Sequence, residues 1–318
     1  MSGAPVAESL AGVVAASPAM REVLADVARL VETRTPVLIQ GESGTGKDLI
    51  AHLLHYGSPR RDAPLIRVHC PSIPEELLES ELFGHEKGAF TDAVRGKLGK
   101  VELAAGGSLF FDQVHDLHPK LQAKLLRVVE EHRFERLGGT RTLEVDVRVL
   151  ASSSVDLRLA VQAGSFRDDL FHRLSVVPLL LPPLRKRRED ILPLAELFLD
   201  RERERGATGA RAFSPEALAT LRGYRWPGNV RELRAAVERA ALLTSDGEIP
   251  LKALPQAVLE RPEALWEGRA RLPPLRDVEQ AYIRHVLEQS RGNQTQAAQL
   301  LGISRKALWE KRRRFGIP

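Results

Sequence analysis

The stretch GESGTGKD, from Gly41 to Asp48, constrains the fold of this chain more than any other segment. It follows the short apolar segment PVLIQ and opens the amphipathic segment KDLIAHLLHYGS, which predicts a strand, a glycine-rich turn and a helix in direct succession. Glycines let backbone N–H groups turn inward around phosphate oxygens, and the start of a helix adds a favourable dipole. Lys47 would reach the terminal phosphates. The pattern therefore predicts a phosphate-binding loop on an α/β sheet.

Two carboxylates are candidates for a Mg²⁺ site beside this loop. Asp112 ends the apolar run SLFFD, as a metal-binding carboxylate does at the end of a buried strand. Alternatively, Asp112 caps the following turn, but the loop upstream favours the metal role. Asp48 stands where such loops usually have Ser or Thr, whose hydroxyl contacts Mg²⁺. A carboxylate reaches the ion directly or through water.

Short apolar strands alternate with helices over residues 17–183, after an N-terminal tail of residues 1–16. The predicted strands are PVLIQ, LIRVHC, SLFFD and VRVLASS, which favours a mostly parallel sheet covered on both faces. Residues 184–245 are predicted to be helical, without further strands. A proline-spotted linker is predicted over residues 246–272, followed by a small all-α domain over residues 273–318.

Composition limits the class of protein. A chain of 318 residues that is 43% hydrophobic can form about two or three domains with cores of their own. Its one cysteine, Cys70, excludes an intrachain disulfide or a multi-cysteine zinc site. Because the longest apolar runs are shorter than the roughly 18 residues of a membrane span and no signal-peptide pattern opens the chain, we expect a cytoplasmic protein without a membrane partner.

The C-terminal residues have the pattern of a helix-turn-helix. QTQAAQLL predicts a short helix, Gly302 and Ile303 a turn, and Ser304 the N-cap of a second helix. Residues 273–318 contain nine Lys or Arg and four Asp or Glu, a net charge of +5 that equals the charge of the whole chain. A charged, solvated tail is the alternative, but the helical pattern favours DNA binding.

Within this domain, Arg305 and Lys306 lie near the start of the second helix, where base edges are read. The predicted DNA-binding residues are Gln294, Thr295, Ser304, Arg305, Lys306, Trp309, Lys311, Arg312 and Arg313, of which the last three, with Arg314, would meet phosphates. The preceding helix, DVEQAYIRHVLEQS, is predicted to form a dimer surface through Val278, Ile283, Val286 and Leu287.

Six motifs occur in the order of a known family: GESGTGKD, ELLESELFGHEKGAFTDA, GGSLFFDQV, LQAKLLRVVEEHRFERLGG, FRDDLFHRLSVVPLLLPPLRKRREDI and WPGNVREL. They resemble the AAA+ domain of bacterial enhancer-binding proteins, the activators of sigma-54 RNA polymerase. The C-terminal segment resembles the Fis-type helix-turn-helix of the same proteins. The chain begins almost at the AAA+ domain, so we expect no N-terminal receiver or ligand-sensing domain.

The resemblance implies an AAA+ P-loop sheet with a helical lid at residues 184–245, assembled into a ring that is usually hexameric. ATP and Mg²⁺ would lie between subunits, and a loop would push on sigma-54 to open promoter DNA. The implied nucleotide-binding residues are Gly41, Glu42, Ser43, Gly44, Thr45, Gly46, Lys47, Asp48 and, from the lid, Arg231. Arg167 and Arg173 would be offered to a neighbour's ATP. The implied sigma-54 loop consists of Gly88, Ala89, Phe90, Thr91, Asp92 and Ala93.

Five residues, at four places in the sequence, depart from the family pattern. Gln113 replaces the Glu that polarises the attacking water, and His69 replaces the Asn that holds this Glu inactive. Asp92 makes the loop GAFTDA instead of GAFTGA, and Ser153 and Ser154 replace Thr-Asn at the end of the sensor strand. Asp92 either disturbs the engagement of sigma-54 by its bulk and charge or is accommodated in a solvated loop.

Gln113 orients a water molecule but does not accept its proton. General-base assistance is typically worth about 10²–10⁴-fold, so we expect weakened hydrolysis. One interpretation is relaxed selection on hydrolysis. Another is a rewired pair, in which His69 hydrogen-bonds Gln113 or acts as the base. The favoured function is an ATP-binding, DNA-bound regulator of sigma-54 transcription. The alternatives are a repressor or scaffold whose nucleotide only sets assembly, and a fully active ATPase with a substituted water-orienting residue.

Overall fold

The computed structural model describes residues 13–72, 74–90, 95–259, 274–290 and 293–317. Its main sheet contains β1 (Val37–Gln40), β2 (Leu65–His69), β3 (Ser108–Asp112), β6 (Arg148–Ser153) and β7 (Val177–Leu180). These five strands are all parallel, in the order β2-β3-β6-β1-β7. A small antiparallel pair, β4 (Arg133–Glu135) and β5 (Thr142–Glu144), stands apart from them. The predicted parallel α/β sheet is confirmed.

The described residues of this part of the chain form seven helices: α1 (Pro18–Leu30), α2 (Lys47–Tyr56), α3 (Glu75–Phe83), α4 (Lys100–Leu103), α5 (Pro119–Glu131), α6 (Leu157–Gln162) and α7 (Asp168–Leu174). Helices α1 and α2 pack on one face of the sheet, and α3, α5 and α7 pack on the other. Because successive side chains of a strand alternate between faces, Phe110 joins the first layer while Leu109 and Phe111 join the second. The sheet is therefore buried on both sides.

The strand register brings the predicted functional residues to one edge of the sheet. Gln40 lies opposite Ser153, and His69 lies opposite Asp112. All four residues are at the carboxyl ends of their strands, which is the edge where open α/β sheets bind ligands. The glycine-rich loop, Asp112 and the Ser153–Ser154 pair therefore meet, although they are far apart in the sequence.

The lid contains α8 (Ile191–Glu204), α9 (Pro215–Gly223), α10 (Asn229–Leu242) and α11 (Gln256–Leu259). It also contains a parallel pair of strands, β8 (Gly209–Phe213) and β9 (Asp246–Ile249), so the prediction that strands end before residue 184 is wrong. Short 3₁₀ segments lie at Cys70–Ser72, Val114–Asp116, Leu184–Lys186, Arg188–Asp190 and Leu251–Ala253.

The predicted linker over residues 246–272 is also wrong in its first half. Ile249, Ala253, Leu254 and Val258 are buried in the lid core, so the described residues 246–259 are part of the lid. The pattern of β9 conceals this, because three of its four residues are exposed and only Ile249 is buried. Residues 260–272 lie outside the described part of the chain.

The C-terminal residues form a second compact unit, with α12 (Leu275–Gln289), α13 (Gln294–Leu300) and α14 (Arg305–Phe315). The predicted helix-turn-helix is confirmed: Gly302 adopts a φ of 67°, and Ser304 caps α14 by accepting a hydrogen bond from Ala307 N at 3.1 Å. No helix of the described residues is both long enough and apolar enough to cross a membrane.

The predicted dimer surface on α12 is wrong for three of its four residues. Ile283, Val286 and Leu287 are buried inside the domain, against a core that includes Ala297, Leu308 and Phe315. The apolar face of α12 packs against the apolar residues of α13 and α14, so it is covered by its own domain. The side chain of Val278 lies outside the described residues.

Candidate active site

A cavity of about 1140 Å³ separates the carboxyl edge of the sheet from the lid. Five cationic side chains line it: Lys47, Arg67, Arg201, Arg231 and Arg234. Three carboxylates accompany them, from Asp48, Asp112 and Asp116. Cationic side chains thus outnumber carboxylates around the cavity, which fits a polyanionic ligand such as a nucleoside triphosphate.

Two glycines give the loop its shape. Gly46 has a φ of 106° and lies at the N-cap of α2, so the loop turns directly into the helix. Gly44 has a φ of 77°, and a Cβ atom there would lie 2.3 Å from the carbonyl oxygen of Gly228 in the lid. A side chain at Gly44 is therefore excluded both by its backbone conformation and by the approach of the lid.

Lys47 is almost completely buried at the start of α2. Its Nζ donates hydrogen bonds to the carbonyl oxygens of Gly41 at 2.7 Å and Glu42 at 3.0 Å. Burial lowers the pKa of Lys47 below its ordinary value, although Asp112 and Asp48 partly oppose this shift. The ammonium group thus lies over the loop, where phosphate oxygens would be held.

The two predicted metal carboxylates come together around one side chain. Arg67, on β2, contacts Asp112 Oδ2 at 2.6 Å and Asp48 Oδ2 at 3.0 Å through the same terminal nitrogen. The two carboxylates therefore face one another across the position of this nitrogen. Among the described residues, no cluster of three or more His, Cys, Asp or Glu side chains could hold a metal ion. A pair of carboxylates fits Mg²⁺, which takes its remaining ligands from water and phosphates.

Asp112 is a buried carboxylate, and both of its oxygens contact hydrogen-bonding side chains. Oδ2 also lies 2.8 Å from His69 Nδ1, and Oδ1 accepts a hydrogen bond from Ser152 Oγ at 2.8 Å. Burial alone would raise the pKa of Asp112, but the hydrogen bonds from Arg67, Ser152 and His69 lower it below its usual value. Asp112 is therefore an anion at neutral pH, as a metal-binding carboxylate must be.

Gln113 follows Asp112 in a left-handed conformation, with φ 62° and ψ 57°. Its backbone N–H donates to Ser152 Oγ at 3.1 Å, and its Oε1 accepts a hydrogen bond from Ser154 N at 3.1 Å. The side chain lines the cavity as predicted, but its oxygen is held by the end of the sensor strand β6. The hypothesis that His69 hydrogen-bonds Gln113 is wrong for this structure, because His69 is paired with Asp112.

The sensor-strand serines have different surroundings. Ser153 is buried, lies 3.1 Å from His115 Nδ1 and donates to the carbonyl oxygen of Val155 at 2.7 Å. Ser154 lines the cavity and contacts Gln113 through its backbone. The end of β6 is thus connected to the residue after Asp112.

Three predicted nucleotide-binding residues of the loop do not line the cavity: Gly41, Glu42 and Thr45. Glu42 instead forms a bidentate ion pair with Arg185, at 2.6 and 2.7 Å, and accepts a weaker hydrogen bond from Asn229 Nδ2 at 3.3 Å. Thr45 is buried and donates to the carbonyl oxygen of Glu42 at 2.8 Å. These residues hold the loop in place, whereas Ser43, Gly44, Gly46, Lys47 and Asp48 face the cavity.

The lid is fixed to the loop through the WPGN turn. Asn229 Nδ2 donates to the carbonyl oxygen of Ser43 at 3.0 Å, and the backbone N–H of Val230 donates to that of Gly44 at 2.9 Å. Arg231, at the start of α10, lines the cavity and donates to Ser43 Oγ at 3.0 Å. Its predicted position beside the nucleotide loop of the same subunit agrees with this contact.

Arg167 and Arg173 do not line the cavity of their own subunit. Arg167 is ion-paired with Asp169 at 2.7 Å, and Arg173 is ion-paired with Glu130. Both side chains remain substantially exposed, at 45% for Arg167 and 61% for Arg173.

The described part of the predicted sigma-54 loop is its first half. Gly88 has a φ of 83°, and Phe90 is 43% exposed with its ring 4.9 Å from that of His85. His85 is itself anchored by Ser80 Oγ at 2.8 Å and by the carbonyl oxygen of Arg95 at 3.0 Å. The base of the loop is therefore well supported. Thr91, Asp92 and Ala93 lie outside the described residues.

The helix-turn-helix exposes most of its predicted DNA-binding residues, namely Gln294, Thr295, Ser304, Arg305, Lys306, Trp309 and Arg313. Arg313 lies over the Trp309 ring, with its guanidinium carbon 5.7 Å from the ring centroid. The other two predicted residues are half-buried: Lys311, which is ion-paired with Glu279, and Arg312. Arg313 and Arg314 are exposed in the last turn of α14.

Arg67 and His115 are among the cavity residues that the sequence did not reveal. Arg67 was detectable in part, because it lies two residues before His69 on the same strand and so on the same face. Its contact with Asp112 depends on the pairing of β2 with β3, which the sequence does not specify. His115 could not be identified from the sequence, because it lies in a short 3₁₀ segment that has no recognisable pattern.

Family models match nearly the whole chain. A sigma-54 interaction domain matches residues 13–180, an AAA+ ATPase lid domain residues 185–268, and a bacterial regulatory protein domain of the Fis family residues 274–315. The lid match extends past residue 245, in agreement with the described structure of residues 246–259.

Similar proteins are transcriptional regulators. The transcriptional regulatory protein ZraR of Klebsiella oxytoca is 46% identical over 315 residues, covering 98% of this chain and 71% of that protein. The Nif-specific regulatory protein of Rhodobacter capsulatus is 53% identical over 248 residues, covering 78% of this chain and 42% of that protein. A crystal structure of NtrX from Brucella abortus in complex with ATP superposes with a TM-score of 0.72 at 35% identity, covering 96% of this chain and 69% of that chain. By its sheet, its loop and these matches, the chain belongs to the sigma-54-dependent transcriptional activators, with an AAA+ domain, a lid and a Fis-type DNA-binding domain.

Proposed function

We propose that this protein binds ATP and Mg²⁺ in the cavity between sheet and lid and hydrolyses ATP slowly while bound to DNA upstream of sigma-54 promoters. The observation that supports slow hydrolysis is the position of Gln113. A neutral amide lines the cavity directly after Asp112, and its oxygen is engaged by Ser154 N. No proton acceptor is therefore supplied at the position where the family has a glutamate.

The residues that would hold the nucleotide form two groups, one for the phosphates and one for Mg²⁺. The backbone of Gly44 and Gly46 and the ammonium of Lys47 would bind phosphates, and Arg231 would approach from the lid. Asp112 and Asp48 would hold Mg²⁺, which neutralises charge on the phosphates when bound. Because phosphoryl transfer relies mainly on positioning and charge stabilisation, a site that keeps these groups retains part of its activity without a general base.

The ring and its partners form the second part of the proposal. Arg167 and Arg173 are exposed and absent from their own cavity, which supports an ATP site completed by a neighbouring subunit of a hexamer-like ring. Phe90 is exposed on a supported loop, which supports contact with sigma-54. Arg305, Lys306 and Arg313 would bind the DNA of enhancer-type sites. As a regulator of RNA polymerase, the protein would act in the cytoplasm.

A second candidate function follows from the same residue. If Gln113 abolishes hydrolysis instead of slowing it, nucleotide binding would only set the state of assembly, and the protein would act as a DNA-bound repressor or scaffold.

Steady-state ATP turnover separates these functions. We expect slow turnover by the wild-type protein and an increase of about 10²-fold or more in Gln113→Glu. Glutamate has the same length and keeps the hydrogen bond from Ser154 N, so the variant adds a base with little other change. Lys47→Ala should lose ATP binding and serves as the blank. Wild-type turnover equal to that of Gln113→Glu would refute weakened hydrolysis, and the complete absence of wild-type turnover would favour the scaffold.

Binding to purified sigma-54 tests the partner. With ADP and aluminium fluoride present, the wild-type protein should retain sigma-54, and Phe90→Ala should not. Equal retention by the two proteins would show that this loop is not the contact.

A further inference from the structure

Arg67 occupies the position between the two carboxylates that would bind the metal ion. Its terminal nitrogen lies 2.6 Å from Asp112 Oδ2 and 3.0 Å from Asp48 Oδ2. Its guanidinium carbon lies 5.9 Å from the centroid of the Phe110 ring. The guanidinium is thus held by two anions and an aromatic ring at the floor of the cavity, although its side chain is 46% exposed.

We propose that Arg67 is a resident cation of the nucleotide site, which competes with Mg²⁺ for Asp112 and Asp48 and makes nucleotide binding less dependent on magnesium. The proposal rests on the proposed ATP site. Direct coordination of Mg²⁺ needs a free carboxylate oxygen at about 2.0–2.1 Å. Asp112 Oδ2 already contacts both Arg67 and His69, and Oδ1 accepts from Ser152. Direct coordination by Asp112 therefore requires that Arg67 withdraw, because two cations cannot share one oxygen without repulsion.

The same contacts predict the behaviour without magnesium. Two carboxylates beside bound phosphates would repel them, and this repulsion normally makes Mg²⁺ essential. Arg67 neutralises part of that charge in the absence of a metal. Removing Arg67 therefore has opposite effects: nucleotide binding weakens without Mg²⁺, and Mg²⁺ binds more tightly because its ligands are released.

Calorimetric titration of the full chain with ADP, in EDTA and in Mg²⁺, measures this competition without turnover. The quantity of interest is the Kd in EDTA divided by the Kd in Mg²⁺. We expect this ratio to be about tenfold larger in Arg67→Ala and Arg67→Gln than in the wild-type protein, the lower end of the effect of losing one hydrogen bond between charged groups. Arg67→Lys, which retains the charge without the planar fork, should give a ratio closer to the wild-type value.

Arg234→Ala is the matched control. Arg234 lines the same cavity but is ion-paired with Glu238 at 2.6 Å, so its loss removes one positive charge without releasing Asp112 or Asp48. It should weaken ADP binding similarly in both buffers and leave the ratio unchanged. Electron paramagnetic resonance of Mn²⁺ with ADP present gives a second reading, in which Arg67→Ala should bind Mn²⁺ more tightly than the wild-type protein.

The outcomes separate this proposal from the proposed ATP site. If the wild-type protein binds no ADP in either buffer, both are overturned. If it binds ADP and the Arg67 variants show the wild-type ratio and the wild-type Mn²⁺ affinity, Arg67 is only a surface ion-pair partner and the competition is refuted.

Discussion

Glu42 is a loop residue whose charge stabilises the fold instead of contacting the cavity. Hydrogen bonds from Arg185 lower the pKa of Glu42 to about 2, against the opposing effect of burial. A carboxyl with a lowered folded pKa contributes stability above its unfolded pKa, and this contribution is lost as the pH falls through the folded value. The ion pair between Glu42 and Arg185 therefore connects the glycine-rich loop to the start of the lid at neutral pH.

Glu42→Gln should lower the free energy of unfolding by about 1 kcal/mol near neutral pH, a value limited by the partial exposure of the pair. The difference from the wild-type protein should shrink as the pH falls from about 4.5 to about 2, the interval between the ordinary and the lowered pKa. Urea unfolding at several pH values measures it. Glu144→Gln, which removes the exposed pair with Arg133, is the control and should change stability little. A difference that stays constant through this interval would contradict the assignment.

At the scale of secondary-structure elements, Gly44 is the point where the glycine-rich loop contacts the lid. Gly44→Ala should be destabilised in two ways. The backbone is strained because φ is 77°, and the added Cβ would lie only 2.3 Å from the carbonyl oxygen of Gly228. Gly164→Ala isolates the first, because Gly164 has a φ of 72° with open space around it. We expect about 1 kcal/mol of destabilisation for Gly164→Ala with normal ADP binding. Gly44→Ala should destabilise more and weaken ADP binding, as measured by urea unfolding and calorimetry. Equal effects of the two variants would show that lid contact does not matter.

Helix α14 has basic residues in two kinds of surroundings: Arg313 is exposed, whereas Lys311 is ion-paired with Glu279. Arg313→Ala should weaken binding to all DNA sequences and reduce the slope of log K against log salt by about 1. Arg305→Ala should relax sequence preference instead. Lys311→Ala, whose side chain is paired with Glu279, should change the slope less than Arg313→Ala. Fluorescence anisotropy over a series of salt concentrations measures all three. An unchanged slope for Arg313→Ala would refute its contact with phosphate.

At the scale of the whole molecule, Arg173 is exposed and does not line the cavity of its own subunit. We therefore predict an active site to which two neighbouring subunits contribute. In the Gln113→Glu background, Lys47→Ala and Arg173→Ala should each abolish most turnover. A mixture of the two should recover part of it, because a site with Lys47 from one subunit and Arg173 from its neighbour is complete. The measurement is ATP turnover against mixing ratio. If the mixture is no more active than its components, Arg173 does not act on a neighbour.

Several features of the fold were predictable because they depend on residues close together in the sequence. The strand, the glycine-rich loop and the helix at residues 37–56 are specified by local spacing, and the cap of α14 by the single residue Ser304. Two of the errors, the dimer surface and the linker, concern the use of apolar faces. A pattern shows that Ile283 and Val286 share a face of α12, but not whether a second copy or the rest of the domain covers it.

The sequence alone determined the parallel α/β sheet, the position of the phosphate loop, the carboxylate Asp112 and the neutral Gln113 beside it. Only the tertiary structure decided what these residues contact. It placed Arg67 between Asp48 and Asp112, paired His69 with Asp112 instead of Gln113, and engaged Glu42 with Arg185. The reason is physical: local patterns fix which backbone forms, whereas the last two contacts join residues 43 and 143 positions apart, which meet only when the strands and the lid have assembled around the sheet edge.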